Sequence, residues 1–340
     1  MPINGIQYSL YGLMSTKVLL ISPYSMKYYG GVQNQLSLIK KFASSQELDI
    51  KILSPDSNDF DVGETFKFRF NGSVAPIKLF PRRKIVKKAL LWADVIHIHE
   101  PFIPVFFWRI PINKKTILSH HADLSPMLQY VQKMLLYNEK QSSAVTAVSN
   151  VARKSISSKI AVVIIPNAIP VLKNEYKNNG NTKFLFIGRD EKRKNFDLYK
   201  EYAETKINNN SIFQAIVNRD KFSKNIITHV NPDNEQKHQI LLESDIYLAV
   251  NSRGESFGIT LIEAISYGCV VVCSDIPAFT ELLGNTGIYF KNKSLESLSE
   301  TIDILLKSNI EDIHRKQLVH INRYSIEKVM EYWISLYFKK

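Results

Sequence analysis

Two glutamates, Glu255 and Glu263, stand with seven residues between them in "NSRGESFGITLIEA" (Asn251–Ala264), either side of a Gly-bearing turn that opens an apolar stretch. A glycoside hydrolase sets its two carboxyls on opposite sides of a scissile bond. Two carboxylates on one loop-and-helix unit suit that poorly. They suit one ligand gripped at two points, with Glu255 near a sugar's hydroxyls and Glu263 at a ribose. A helix starting near Gly258 would turn the backbone N–H groups of Ser256, Phe257 and Gly258 outward, toward an anion or hydroxyls. Upstream, "GRDEKRKN" gathers Arg189, Arg193 and Lys194 around Glu191. Fixed cations there would hold a diphosphate and stabilise charge growing on a departing phosphate. In "SPYSMKYYGGVQNQL" (Ser22–Leu36) the pair Gly30-Gly31 lets the backbone approach a ligand ahead of a helix. His120 and His121 end an apolar run, where a histidine can meet a ligand. Taken singly, each feature also reads as ordinary structure: a tight turn, a basic loop, a capping glutamate.

The elements that must position these residues repeat. "KVLLIS", "DIKILS", "DVIHIH", "TILSHH" and "AVTAVS" are short Val/Ile/Leu-rich runs, with helical spacing between them at Val32–Ser44 and Met127–Lys140. Such alternation predicts a parallel sheet covered on both faces. Periodicity stops over Pro166–Thr182, where Asn, Lys, Pro and Gly dominate. It restarts with "KFLFIGR", "FQAIVN", "DIYLAV", "CVVVCS" and "GIYF". The α/β reading is therefore two doubly wound, Rossmann-like units, 1–170 and 171–324, with a ligand cleft at the carboxyl ends of both sheets. A final aromatic helix over 325–340 would cross back to the first unit.

The chain has 340 residues, room for two such domains, and a net charge of +12. That charge is uneven: 21 Lys+Arg face 10 Asp+Glu in residues 1–170, against 23 and 22 in the remainder. The excess points to an anionic partner surface, or to a Lys-rich solvated face. No nucleic-acid motif accompanies it. No run is long enough to span a membrane and no signal segment is visible, so a cytoplasmic chain is expected. Cys269 and Cys273, the two cysteines, read as buried thiols with no ligand set for a metal.

Taken together and in this order, "SPYSMKYYGGVQNQL", "NGSVAPIKL", "VIHIHEP", "AVSNVAR", "IPNAI", "FIGRDEKRKN" and "ESFGITLIEA" resemble the retaining nucleotide-sugar glycosyltransferases of family 4. Within that family they are most similar to the phosphatidylinositol mannosyltransferases. The resemblance implies the GT-B fold and transfer of mannose from GDP-mannose to an inositol hydroxyl with retention, by front-face attack with the leaving phosphate as base. It implies His120, Glu255, Arg189 and Lys194 at the reacting centre. Gly30, Gly31, Glu191, Arg193, Val230, Ser256, Phe257, Gly258 and Glu263 would hold the donor, and Gln33, Asn71 and His121 the acceptor. No tightly bound cofactor is implied: the nucleotide sugar enters as substrate, and Mg2+ is at most a stimulant. The chain departs from the family pattern at Ala168, His121, Ser125 and Asn195, where Gly, a small hydroxyl residue, Lys and Gly are usual.

"PRRKIVKKALLW" (Pro81–Trp92) bears on the acceptor independently. As a helix it would set Ile85, Ala89 and Trp92 in one stripe and Arg83, Lys84, Lys87 and Lys88 on another side. Such a helix can lie on an anionic membrane, which implies a peripheral place on the inner face of the cell membrane and a lipid acceptor. The same stripe can instead pack the helix on its own sheet. A polyprenyl-linked glycan or soluble sugar acceptor and a non-catalytic polyanion binder are the competing readings.

Overall fold

In the computed structural model, residues 15–339 are described apart from 29, 44–46, 71–72, 102–105, 107–109, 136, 173, 177–179, 207–210 and 220–222. The first unit runs β1 (Thr16–Ile21), α1 (Gly31–Ala43), β2 (Leu48–Ser54), β3 (Phe60–Asp61), β4 (Phe66–Phe70), β5 (Ser73–Ile77), α2 (Arg83–Trp92), β6 (Val95–His99), β7 (Thr116–His120), α3 (Pro126–Leu135), β8 (Ala144–Ala147), α4 (Asn150–Arg153) and β9 (Val163–Ile164). The second runs β10 (Lys183–Ile187), α5 (Phe196–Thr205), β11 (Ile212–Val217), β12 (Ile227–Val230), α6 (Asn234–Leu242), β13 (Ile246–Ala249), α7 (Ile259–Ser266), β14 (Val270–Ser274), α8 (Pro277–Leu283), β15 (Ile288–Phe290), α9 (Leu295–Leu306), α10 (Ile310–Ile321) and α11 (Ile326–Tyr337).

The two sheets are parallel, in the orders β3-β2-β1-β6-β7-β8-β9 and β12-β11-β10-β13-β14-β15. Strands covered on both faces need apolar residues at every position. The run Val18 to Ile21 and the whole of β14 are accordingly buried. Each order reverses direction beside its first strand, between β1 and β6 and between β10 and β13. Open α/β sheets bind ligands outside the strand carboxyl ends at such switch points. The loops leaving β1, β10 and β13 are those that carry Gly30-Gly31, "GRDEKRKN" and Glu255.

Contacts between the units fix how these loops meet. The Ser149 hydroxyl donates to the Ser256 carbonyl at 2.5 Å. The backbone N–H and side-chain amide of Asn150, at the start of α4, both donate to Glu281 Oε1 of α8, at 2.8 and 2.9 Å. The expected crossover is present: Ile326 N donates to the Ile169 carbonyl at 3.1 Å, and Val329, Met330, Trp333 and Tyr337 of α11 pack among Val18, Leu20, Leu36 and Ile39. An antiparallel hairpin, β4–β5, and the edge strands β3, β9 and β12 go beyond the expected strands. The edge strands have two to four residues each, too short to carry a period.

Candidate active site

The loop leaving β10 folds as a short 3-10 turn over Lys192–Lys194 and ends at Asn195, which takes the left-handed conformation (φ 56°, ψ 43°) before α5. Asn is the residue after Gly best suited to that conformation. Its presence where the resembled family has Gly therefore keeps the turn. The turn aims Arg193 and Lys194 at Glu255, in the loop leaving β13. Glu255 Oε1 accepts from Lys194 Nζ at 2.5 Å, Asn251 Nδ2 at 2.7 Å and Arg193 Nη1 at 2.9 Å. Arg193 also donates from Nη1 to the Gly254 carbonyl and from Nε to Glu191 Oε2, both at 2.7 Å. Arg189 Nε lies 3.2 Å from the other Glu191 oxygen and is half exposed, whereas Glu191, Arg193, Lys194 and Glu255 are mostly covered. Burial by itself would raise the Glu255 carboxyl; Lys194 and Arg193 outweigh it and hold the group below its ordinary value. The result is an ionised carboxylate and two cations at the carboxyl end of the second sheet, a charge set able to hold a diphosphate beside a sugar.

Two glycines permit this approach. Gly254 has φ +70°, and a Cβ there would lie 3.1 Å from Arg193 Cδ. Gly258 has φ +105°, and a Cβ would press to 3.2 Å from both Leu282 and Phe279. Gly258 caps α7, so the segment Ser256–Gly258 stands at that helix's N-terminus as expected. Phe257 is itself buried, edge-on to Tyr324 at 5.4 Å between centroids, so it contributes by packing the loop. Across the cleft, a Cβ on Gly31 at the start of α1 would sit 3.5 Å from Ile259 Cδ1. The N-termini of α1 and α7 thus lie close together, each favouring negative charge nearby.

Glu263 lies on α7, where Lys237 Nζ of α6 contacts both its oxygens at 2.7 Å. Val230 ends β12 and is exposed. Gln33 folds back over Gly30 and donates to the Ser25 carbonyl at 3.2 Å. Asn71 lies outside the described residues.

Of the two adjacent histidines, His120 is buried at the end of β7: it is 1% exposed, with Nδ1 2.9 Å from Gln132 Nε2 and Nε2 3.1 Å from Glu139 Oε1. Side chains alternate along β7, so consecutive histidines point to opposite faces. His121 takes the other face, where its Nε2 meets His99 Nδ1 at 3.0 Å. Burial pushes the His121 ring down to about 3. His99 sits against His97, which bridges Tyr337 of α11 at 2.8 Å and Ser119 at 2.7 Å.

Sequence reasoning passed over several residues. Asn251 adjoins the quoted loop, but nothing in its spacing marks it as a donor to Glu255. Lys237 reads as one more charge on a polar helix. Asp123, beyond His121, is half-buried; burial raises its carboxyl, and Lys154, Glu255 and Arg193 all act on it electrostatically, which brings first-unit charges to the Glu255 cluster.

Residues 170–324 match the family described as "Glycosyl transferases group 1", from the linker to the residue before the crossover helix. The second unit is a glycosyltransferase group 1 domain. The whole chain is 26% identical to the "Phosphatidyl-myo-inositol mannosyltransferase" of Mycobacterium leprae (strain TN), over 86% of this chain and 88% of that one. It is 22% identical, over 76% and 77% of the two chains, to the "GDP-mannose:cellobiosyl-diphosphopolyprenol alpha-mannosyltransferase" of Xanthomonas oryzae pv. oryzae (strain PXO99A). A solved glycosyltransferase from Rickettsia africae ESF-5 superposes with TM-score 0.70 at 15% identity, over 95% of this chain and 98% of that one. The expected GT-B fold is thus the fold observed. No helix among the described residues is long and apolar enough to cross a membrane, and none of their His, Cys, Asp and Glu side chains form a group of three able to hold a metal.

Proposed function

We propose that this glycosyltransferase moves mannose from GDP-mannose, with retention, to a phosphatidylinositol-type lipid at an anionic membrane surface. The observation that carries the reading is the convergence of Lys194, Arg193 and Asn251 on one oxygen of Glu255, opposite the N-terminus of α1. In this reading Arg189, Arg193 and Lys194 hold the donor diphosphate and stabilise the charge left as the glycosidic bond breaks. Glu191 orients the two arginines, Glu255 and the turn at Ser256–Gly258 hold the hexose, and Glu263 holds the ribose. Gly30 and Gly31 let the first unit close over the diphosphate, Val230 borders the base, and Gln33 meets the acceptor. The nucleotide sugar is a substrate rather than a resident cofactor.

The lipid acceptor is supported by α2. Arg83, Lys84, Lys87 and Lys88 are all exposed, while Val86 and Ala89 are buried beneath them. Such a face can bind anionic lipid headgroups from the cytoplasmic side. The similarity to the M. leprae phosphatidylinositol enzyme favours the same acceptor class. The similarity to the X. oryzae polyprenol enzyme favours a second reading, a polyprenyl-linked acceptor, on the same site. Radiolabelled nucleotide sugars offered with defined lipids separate the two. Label entering a phosphatidylinositol product from GDP-mannose is expected; label entering only a polyprenyl-linked glycan would overturn the inositol acceptor.

A further inference from the structure

Ser149 stands just beyond β8, at the carboxyl end of the first sheet, and is 3% exposed. Its hydroxyl meets two groups. It accepts from the Ala152 N–H at 3.1 Å, capping α4, and it donates to the Ser256 carbonyl of the second unit at 2.5 Å. A serine hydroxyl holds one proton. With a helix N–H already on its acceptor side, that proton is left to donate, and the Ser256 carbonyl receives it. The hydroxyl works from a fixed base. On one side of it Val148 N donates to the His120 carbonyl at 3.1 Å; on the other, Asn150 is bonded twice to Glu281.

The receiving carbonyl belongs to the turn that holds the hexose in the donor-site reading. Gly254 and Gly258, with φ +70° and +105°, stand on either side of it. Glycines place little steric restraint on the backbone around them, so the peptide needs another hold. The Ser256 C=O and the Phe257 N–H share one planar trans peptide and point in opposite directions. Anchoring the carbonyl on Ser149 therefore sets the direction of the Phe257 N–H, which lies ahead of α7 where no intrahelical acceptor takes it. The back of the turn is held as well. The Phe257 ring packs edge-on to Tyr324, whose hydroxyl donates to the Leu282 carbonyl at 2.9 Å and whose own carbonyl accepts from Ile169 N at 3.0 Å. Ile169 and Tyr324 lie where the chain passes between the units. The turn thus touches the first unit through Ser149 and the crossover through Phe257.

We propose that Ser149 is a positioning residue that orients the Ser256–Phe257 peptide, so that the second unit's grip on the donor hexose is completed from the first unit. This rests on the donor-site reading above. The test separates hexose from nucleotide. GDP-mannose and GDP are titrated calorimetrically into the full chain and its variants, with UDP-glucose and UDP as a second pair. Ser149→Gly removes the hydroxyl, and glycine is itself a tolerated N-cap, so α4 should still form. This variant should bind the nucleotide sugar about threefold or more weakly, the scale of one hydrogen bond, and the free nucleotide within about twofold of wild type. Ser149→Thr, which keeps a hydroxyl, should restore the wild-type ratio of the two. An unchanged ratio in Ser149→Gly would overturn the proposal. Equal weakening of nucleotide sugar and free nucleotide would also overturn it, and would leave Ser149 a structural cap alone. Ser149→Ala, read the same way, serves if Ser149→Gly does not fold. A wild type that binds neither pair would instead overturn the donor-site reading, and this proposal with it.

Discussion

At the residue scale, Glu255 shows how charge can be concentrated without being left unpaired. Removing Lys194 leaves Glu255 held by Arg193 and Asn251, so the loop keeps its shape while one cation is lost. Lys194→Ala is therefore expected to fold with a near-normal melting temperature and to lose about 3 kcal/mol or more of transition-state stabilisation, seen as a fall in kcat/KM of at least about 100-fold. Glu255→Ala should lose as much activity. Near-wild-type turnover in Lys194→Ala would sink the diphosphate assignment. His120 predicts the opposite pattern. Truncating it strands the Glu139 carboxylate in the interior, while Gln132 Nε2 keeps the Ser155 carbonyl and hydroxyl, at a cost of roughly 2–4 kcal/mol. His120→Ala should thus lower the urea midpoint clearly. A variant of wild-type stability with abolished turnover would restore the histidine to the reacting centre.

At the element scale, α2 divides its surface between two jobs. Its apolar side is used by its own unit: Val86 and Ala89 are buried, and Ile85, Leu90 and Trp92 pack partly against the same core. The packing expected from the stripe is thus present. It leaves the four cations outward, with Leu91 78% exposed among them. Packing and membrane contact therefore do not compete for one face. Changing Arg83, Lys84, Lys87 and Lys88 together to Gln should remove up to about 4 kcal/mol of binding to anionic vesicles, and less in salt. Nucleotide affinity should barely change, because the cluster at Glu255 lies on the other sheet. Co-sedimentation at low and high salt, beside donor titration, checks both halves. Vesicle binding equal to wild type would leave the lipid acceptor resting on similarity alone.

At the scale of the whole molecule, the crossover helix α11 seats on a buried histidine cluster. Burial holds His97, His99 and His121 below their ordinary value, so all three stay neutral in the folded protein. The unfolded chain protonates them below about 6.5. As pH falls through that value the unfolded chain binds more protons than the folded one, and stability falls. Glu100 works in the other direction. Burial raises its carboxyl to about 8, so the folded chain keeps a proton that the unfolded chain releases above 4.5, and stability falls as pH rises across that window. Chemical denaturation between about pH 5 and about pH 9 should therefore give a maximum, with slopes of at most about 1.4 kcal/mol per pH unit per group. Glu100→Gln should flatten the alkaline limb and steepen the acid one, since its window from 4.5 to about 8 overlaps both; an unchanged profile would count against a buried, protonated Glu100.

How much was legible in the sequence follows from how far each signal reaches along the chain. Two parallel sheets, the break near residue 170 and the returning helix were readable because burial on both faces demands continuous apolar runs, and a run is local. The turn at Gly258 was readable for the same reason: a left-handed residue before an apolar helix leaves a glycine behind. The grouping of Arg193 and Lys194 was visible as a cluster in one loop. Their convergence on Glu255, 61 residues away, was not, since only the switch points of the sheet bring those loops together. Lys237 and Asp123 carry no local mark at all; they matter because α6 and the loop after β7 end beside the cleft. Which of two adjacent histidines lies on which face was decided by the register of β7 in its sheet, and the sequence holds both side by side without distinguishing them.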